Sequence, residues 1–218
     1  IVARDTFLGV ASHELKTPLT SLKLQTQIAK KCLESSVPLE ENRSKFAKFL
    51  DISLALTDRL GRLVDDMLDI ARITSGRLTL NFTKTNLSQL VKNAFDSFAP
   101  QLAAAGCILV EKISPNIEID GDSTRIVQVV TNLITNAMKY AFGKPITLTV
   151  NENAHVARIS LRDEGPGIAL EYQRRIFERF ERGSNSRIPG GLGLGLYVAK
   201  QIVEGHGGRI SVVSELGN

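Results

Sequence analysis

The stretch SHELKTPL (Ser12–Leu19) sets a histidine, two charged side chains, a threonine and a proline inside a run with helical spacing. Residues 2–75 keep apolar positions three and four apart, with a break at residues 35–38, which predicts two long helices. At about 100° per residue, His13 points away from the apolar stripe of the first helix. That stripe comprises Leu8, Ala11, Leu15, Leu19, Leu22, Ala29 and Leu33.

His13 has neighbours that suit a nucleophilic histidine. A neutral imidazole is a nucleophile at pH 7, and the adjacent Glu14 can hold or accept the proton of its second nitrogen. Thr17 lies one turn further on nearly the same face. Pro18 lacks an N–H, so the carbonyl of Glu14 loses its helical partner and we expect a bend. Taken alone, a surface histidine such as His13 is inert more often than not.

The second predicted helix also carries an apolar stripe with heptad-like spacing. It runs through Phe46, Leu50, Ser53, Thr57, Leu60, Val64, Met67 and Ile70. One pair of such helices leaves much of its apolar surface in water, whereas two hairpins bury it in a four-helix bundle. We therefore predict a homodimer through this half. The alternative is that the hairpin packs on the rest of its own chain.

The second half of the chain mixes strand and helix patterns, which predicts a layered α/β domain. The expected strands are 78–82, 108–113, 117–119, 146–150, 156–161 and 209–213. The expected helices run from Leu87 to about Ala105, from a cap at Asp122 to about Tyr140, and from about Leu196 to Glu204. We place the domain boundaries at 1–75 for the helical hairpin, 76–80 for a hinge and 81–218 for the α/β domain.

Composition limits the classes of function. The chain has 218 residues, a net charge of +4 with basic residues scattered among acids, and two widely separated cysteines, Cys32 and Cys107. This distribution argues against nucleic-acid binding, and the cysteines are expected to be reduced thiols. We see no apolar run of the roughly 20 residues that a bilayer requires. Because the chain begins at Ile1, we expect a fragment whose parent reaches a membrane, if at all, through a missing N-terminal part.

Three clusters in the second half are typical of a nucleotide pocket. In NLITNAMKY (Asn132–Tyr140), two asparagines one turn apart offer amide oxygens to a hard cation such as Mg²⁺, although they would also suit a solvent-facing surface. In DEGPGI (Asp163–Ile168), a strand ends in an acid that can accept a hydrogen bond from an exocyclic amine. In GGLGLGL (Gly190–Leu196), glycines expose backbone N–H groups at a helix start, which favours phosphate. The stretch 176–190 between the last two clusters resembles a lid.

These motifs, in this order, resemble those of the sensor histidine kinases of two-component signalling. SHELKTPL is similar to the H box of that family, NLITNAMKY to the N box and DEGPGI to the first glycine box. IFERF (Ile176–Phe180) is similar to the F box, and GGLGLGL to the second glycine box. The resemblance runs from about Phe7 to Ser214. It implies a dimeric helical hairpin followed by an ATP-binding α/β sandwich with a mixed sheet.

The resemblance also implies a role for each matching residue. His13 would be the phosphoacceptor, Glu14 its acid/base partner, and Thr17 the residue that orients water for dephosphorylation of a partner. Asn136 would bind Mg²⁺, Asp163 would accept the adenine amine, and Phe177 would help to anchor the lid. The residues expected to contact the nucleotide are Asn132, Asn136, Lys139, Tyr140, Asp163, Gly165, Gly167, Ile168, Phe180, Arg182, Gly191, Leu192, Gly193, Leu194, Gly195 and Leu196.

The implied activity is autophosphorylation of His13 from Mg-ATP, followed by transfer to an aspartate of a response regulator receiver domain, in the cytoplasm. The family normally closes its α/β domain with a further strand, which this chain does not reach. Two alternatives remain: another ATPase or protein serine kinase with the same ATP-binding fold, or a scaffold that binds nucleotide without phosphorylating itself. Proteins of the first kind lack the HELKTPL helix.

Overall fold

The computed structural model describes residues 2–34, 39–181 and 192–217. The chain divides into a helical unit, which runs to Gly76 and also takes in Leu192, and a mixed α/β unit, which begins at Arg77 and resumes at Gly193. The helical unit consists of α1 (Val2–Glu34) and α2 (Leu39–Thr74), which pack against each other as the predicted hairpin. None of the described helices is both long and apolar enough to cross a membrane.

The interior of the hairpin is formed by one side of each helix. Ala11 and Pro18 of α1 are buried, as are Leu63 and Ile70 of α2. The helix assignment of α1 continues through Pro18, whose ring lies on this inner side. Apolar burial of this kind supplies most of the stability of a long helix, which is otherwise marginal in water.

Much of the predicted apolar stripe is exposed in the single chain. Leu19 and Leu33, on the stripe of α1, are 58% and 60% exposed. Leu50 and Val64, on the stripe of α2, are 63% and 45% exposed. This agrees with the expectation that one hairpin leaves much of its apolar surface in water, because two helices can cover only one side of each other.

The inner face of α2 also contains acidic residues. Asp69 is buried and half-buried Asp66 lies one turn before it. Burial raises the pKa of Asp66 from 3.8 to about 6; the negative charges of Asp69 and Asp65 add to this, and Arg62 opposes it. The folded state therefore binds more protons than the unfolded state between these two pH values. The stability of this unit must fall as the pH rises through that window.

Asp66→Asn is expected to remove this loss of stability. At pH 7 the variant should raise the free energy of unfolding by on the order of 2 kcal/mol, because it removes a buried charge. Thermal unfolding followed by circular dichroism between pH 4 and 7 measures the effect. Asp58→Asn, at an exposed position of the same helix, is the control. An unchanged pH dependence in Asp66→Asn would contradict the assignment.

The mixed unit contains two small sheets. In the first, β1 (Thr83–Asn86) pairs antiparallel with β3 (Glu118–Gly121). In the second, β2 (Leu109–Ile113) runs parallel to β4 (Ile146–Asn153), and β4 runs antiparallel to β5 (Val156–Asp163). The mixed sheet that the sequence predicted is confirmed.

Helices cover the sheets and complete the core. The helices of this unit are α3 (Leu87–Asp96), α4 (Ala99–Ala104), α5 (Ser123–Tyr140), α6 (Leu170–Gln173) and α7 (Gly195–Gly205). Asp122 caps α5 as predicted, because its carboxylate accepts the N–H of Arg125. The core lies between α3, α4, α5 and the second sheet, and α7 packs on α5. This packing holds α5 and α7, which carry two of the predicted motifs, side by side.

Three local predictions were wrong. The helix expected over 87–105 is divided between α3 and α4, because Pro100 has no N–H to continue the ladder. Segment 78–82 forms no strand, and pairing begins at Thr83. Segment 209–213 keeps alternating exposure but has no ladder partner among the described residues. Alternation indicates which face is buried, whereas a strand also requires a hydrogen-bonded neighbour.

Candidate functional site

The imidazole of His13 is exposed on α1, on the side away from the hairpin interior. Its backbone carbonyl accepts a hydrogen bond from the Thr17 hydroxyl at 3.1 Å. The half-buried carboxylate of Glu14 lies 3.5 Å from the Arg59 guanidinium of α2. Since neighbouring helical residues point in different directions, Glu14 faces α2 while His13 faces outward. The exposed ring is open to a phosphoryl donor.

Sequence reasoning missed Arg59. The residue lies three positions after Leu56 and four before Leu63, both of which turn toward the interior of the hairpin. An arginine at that spacing is placed on a partly buried helix face and needs an acid opposite it. This spacing was the signal that could have identified Arg59 as the partner of Glu14.

The two asparagines of α5 have different surroundings. The amide nitrogen of Asn132 donates to the carbonyl of Gly195 at 3.0 Å, so Asn132 joins α5 to the first residue of α7. A Cβ added to Gly195 would lie 3.3 Å from the Asn132 side-chain oxygen, which shows how closely the two helices approach. Asn136 lies one turn later and forms no side-chain hydrogen bond within the described part of the chain. Its amide oxygen therefore remains available for a ligand.

The end of α5 meets the end of β5. Asp163 accepts the N–H of Gly165 at 2.9 Å, which fixes the orientation of its carboxylate. A Cβ on Gly165 would lie 2.8 Å from an Asp163 oxygen and 3.1 Å from the Tyr140 carbonyl oxygen. Glycine is thus needed for this close approach. The ammonium of Lys139 lies 4.9 Å above the Tyr140 ring. Asp163, Gly165 and Tyr140 are brought together as the sequence predicted.

The turn after Gly165 is fixed by the segment of residues 214–217. Gly167 has φ +75°, and a Cβ there would overlap the Glu215 carbonyl. The N–H of Ile168 donates to the Ser214 hydroxyl at 2.9 Å, and the N–H of Gly217 donates to the Pro166 carbonyl at 2.8 Å. Gly167 therefore admits the protein's own backbone, a role that the sequence did not indicate.

Phe180, within the predicted lid, contacts Gly193, which follows the lid and precedes α7. The N–H of Phe180 donates to the Gly193 carbonyl at 3.1 Å, and Phe180 has φ +64°. A Cβ on Gly193 would lie 2.7 Å from the Glu181 carbonyl oxygen. Phe177, also predicted as a lid anchor, is half-buried. Arg182 and Gly191 lie outside the described residues.

The leucines and the glycines of the second glycine box have different roles. Leu192 and Leu194 are buried and Leu196 is half-buried, so these leucines anchor the segment. Gly195 begins α7, an eleven-residue helix whose first N–H groups have no intrahelical acceptors. A helix start with free N–H groups binds anionic groups such as phosphate. Together with Asn136 and Asp163, it offers three different groups: backbone N–H donors, an amide oxygen and a carboxylate.

Comparison with known proteins places both units in families. Residues 3–76 match the His Kinase A (phospho-acceptor) domain, and residues 121–218 match the histidine kinase-, DNA gyrase B- and HSP90-like ATPase family. Sensor protein SrrB of Staphylococcus aureus is 33% identical over 214 residues, which cover 97% of this chain and 36% of SrrB. The chain thus spans about a third of the length of this curated relative.

Solved structures show the same fold. Full-length ShkA in complex with AMPPNP has a TM-score of 0.65 at 24% identity, covering 96% of this chain and 43% of that one. Histidine kinase ThkA in complex with the response regulator protein TrrA has a TM-score of 0.62 at 23% identity, covering 94% and 56%. The chain has a phospho-acceptor domain before an ATPase domain, and 97% of its own length is similar to a sensor protein. It therefore belongs to the sensor histidine kinases.

Proposed function

We propose that this chain transfers the γ-phosphoryl group of ATP to its own His13. The observation that carries the proposal is the exposed imidazole of His13, set on a helix of a phospho-acceptor domain. A ring nitrogen forms the new N–P bond while the bond from the γ-phosphorus to the β,γ-bridging oxygen breaks, and ADP leaves. Positioning and charge neutralisation supply most of the rate in such transfers. Because ATP is supplied in the cytoplasm, we propose that the reaction takes place there.

The nucleotide contacts follow from the geometry of the mixed unit. We assign the adenine amine to Asp163, whose carboxylate is oriented by the Gly165 N–H, and the phosphates to the start of α7. Lys139 is assigned to the phosphates and Tyr140 to the wall of the pocket. The amide oxygen of Asn136 suits Mg²⁺, which prefers oxygen ligands and neutralises phosphate charge when bound. Asn132 positions the start of α7 instead of binding the metal.

Glu14 and Thr17 are proposed to act next to His13. Glu14 takes or holds the proton of the second ring nitrogen as the first is phosphorylated. Its carboxylate is paired with Arg59 of α2 in this structure, so it must turn from Arg59 toward the ring for this step. Thr17 is one turn from His13, and its hydroxyl oxygen can still accept a hydrogen bond from water. We assign to it the orientation of water during dephosphorylation of a partner.

The proposed acceptor of the phosphoryl group is an aspartate of a response regulator receiver domain. The support is that ThkA, which has the same fold, forms a complex with the response regulator TrrA. An exposed phosphohistidine on a helical hairpin is accessible to such a domain.

Incubation with γ-labelled ATP and Mg²⁺ tests the proposed function. The expected product carries label that acid removes and alkali does not, as a phosphohistidine does. Label with the opposite stability would favour a serine kinase of the same ATP-binding fold. Binding of ATP without any label on the protein would favour a nucleotide-binding scaffold.

We further propose a homodimer through the helical unit. On α2, exposed Leu50 and Val64 are two heptads apart, and so are exposed Leu54 and Leu68. The midpoint of the second pair is Gly61, where an added Cβ would meet nothing within 4 Å. A heptad stripe of this kind is the seam along which helical hairpins associate.

Leu54→Glu is expected to disrupt this dimer. Burying a carboxylate in the seam costs more than the leucine contributes, so the chain should become monomeric. Light scattering should give twice the 23.8 kDa chain mass for the unmodified protein and a single chain mass for the variant. Leu170→Glu, at a position that is 81% exposed on α6, is the control and should leave the mass unchanged. A dimeric Leu54→Glu protein would argue against the seam.

A further inference from the structure

His206, the residue that follows α7, has both ring nitrogens engaged with backbone. Its Nε2 accepts the N–H of Asp122 at 3.0 Å, and its Nδ1 lies 2.8 Å from the Ile202 carbonyl oxygen. A backbone N–H can only donate and a backbone carbonyl can only accept. The contacts are therefore satisfied together only by the neutral imidazole with its proton on Nδ1.

Asp122 connects this histidine to the segment that follows the helical unit. One carboxylate oxygen caps α5 through the Arg125 N–H at 3.1 Å, and the other accepts the Asn81 N–H at 2.9 Å. The hydrogen bond from Asn81, followed by that from Arg125, lowers the pKa of Asp122. The carboxylate thus holds the start of α5 and the segment before β1 at the same time.

Each residue from Leu80 to Phe82 has its own anchor on the mixed unit. The Leu80 side chain packs against Gly205, where a Cβ would lie 2.9 Å from a Leu80 methyl carbon. Asn81 is held by Asp122, and the Phe82 ring lies with its centroid 5.2 Å from that of His206. We name this set the linker clamp; its members are Leu80, Asn81, Phe82, Asp122, Gly205 and His206.

We propose that His206 is a positioning residue that sets the length of the tether between the two units through the linker clamp. With the clamp closed, residues 77–79 connect Gly76 to the mixed unit, and they span at most about 10 Å. With the clamp open, the tether extends over residues 77–82 to the pairing of β1, and reaches about 20 Å. This inference rests on the proposed kinase function, because the tether limits delivery of phosphoryl to His13.

The clamp is sensitive to protonation. An imidazolium donates at both nitrogens and cannot accept the Asp122 N–H, so a proton on Nε2 removes one of the contacts that closes the clamp. The charged groups on the elements packed around the ring are Asp120 on β3, Asp122 and Arg125 at the start of α5, and Lys200 and Glu204 on α7. The neutral ring therefore closes the clamp, and a proton on Nε2 opens it.

Hydrogen exchange at the Asn81 amide tests the clamp without requiring kinase activity. We compare the unmodified protein with His206→Ala and with His206→Gln, whose side-chain oxygen can still accept the Asp122 N–H but does not titrate. At pH 7.5, Asn81 should exchange at least tenfold faster in His206→Ala and at the unmodified rate in His206→Gln.

Autophosphorylation provides the second readout. Doubling a flexible tether lowers the effective concentration of its ends by about threefold, so His206→Ala should phosphorylate His13 about threefold more slowly at saturating ATP. The affinity for ATP should not change, and the exposed His155→Gln should behave as the unmodified protein does. Equal protection of Asn81 in His206→Ala and in the unmodified protein would overturn the clamp. Absence of label in every protein would instead contradict the kinase function.

Discussion

His13→Gln is expected to abolish phosphorylation of the protein by ATP. Glutamine is polar and of similar size, and the position is exposed on α1, so the helix should remain folded. Its neutral amide cannot act as a nucleophile, and the described structure places no second histidine on the hairpin. Label from γ-labelled ATP should fall at least a hundredfold, below detection, while ATP binds the mixed unit with unchanged affinity.

The matched control is His155→Gln. His155 is fully exposed in the turn between β4 and β5, so replacing it tests whether loss of any surface histidine reduces labelling. This variant should be labelled as strongly as the unmodified protein. If His13→Gln retains acid-labile label, the phosphoacceptor is another residue and the assignment of His13 fails. Isothermal titration with ATP confirms that the variant still binds nucleotide.

Features that depend on neighbouring residues were predictable from the sequence. Apolar spacing gave the long hairpin, and a single aspartate identified the start of α5 because a cap bonds three residues ahead. The turn of the β4–β5 hairpin was also found, although Ala154 and His155 adopt positive φ without being glycine. Periodicity and capping are local rules, so one sequence is sufficient to apply them.

Contacts between distant residues were not predictable. Arg59 and Glu14 are 45 positions apart, and Asp122 and His206 are 84 apart. No spacing rule relates such pairs, because the intervening turn and the packing of the elements determine whether the two residues come into contact. The leucine stripe has a related limit: periodicity indicates that a face is apolar but does not say whether the same chain or a second copy covers it.

The glycine motifs show the same division within one site. The sequence indicated that backbone is exposed at Gly165, Gly167 and Gly193, and it assigned all three to the nucleotide. In the structure, Gly165 lies against Asp163 and Tyr140, whereas Gly193 lies against Phe180 and Glu181. These glycines therefore permit close packing of the protein around the predicted site.

Gly167→Ala is therefore expected to destabilise the mixed unit and to prevent nucleotide binding. An alanine at φ +75° costs about 1 to 2 kcal/mol, and its Cβ would lie 2.8 Å from the Glu215 carbonyl carbon and overlap the attached oxygen. Displacing this backbone adds about 1 to 3 kcal/mol, as overpacking does elsewhere. Unfolding monitored by calorimetry should show a total loss of about 2 to 5 kcal/mol in the mixed unit.

Gly143→Ala separates the strain at positive φ from the steric overlap. Gly143 has φ +72°, close to that of Gly167, but a Cβ there would meet nothing within 4 Å. The free energy of unfolding of Gly143→Ala should fall only by the about 1 to 2 kcal/mol that an alanine at positive φ costs, and the variant should bind ATP normally. In Gly167→Ala, displacement of the 214–217 segment also releases the Ile168 N–H from Ser214 and the Gly217 N–H from Pro166, so the wall beside Asp163 loses its support. Equal stability and equal ATP affinity in the two variants would show that the 214–217 segment does not support the wall beside Asp163.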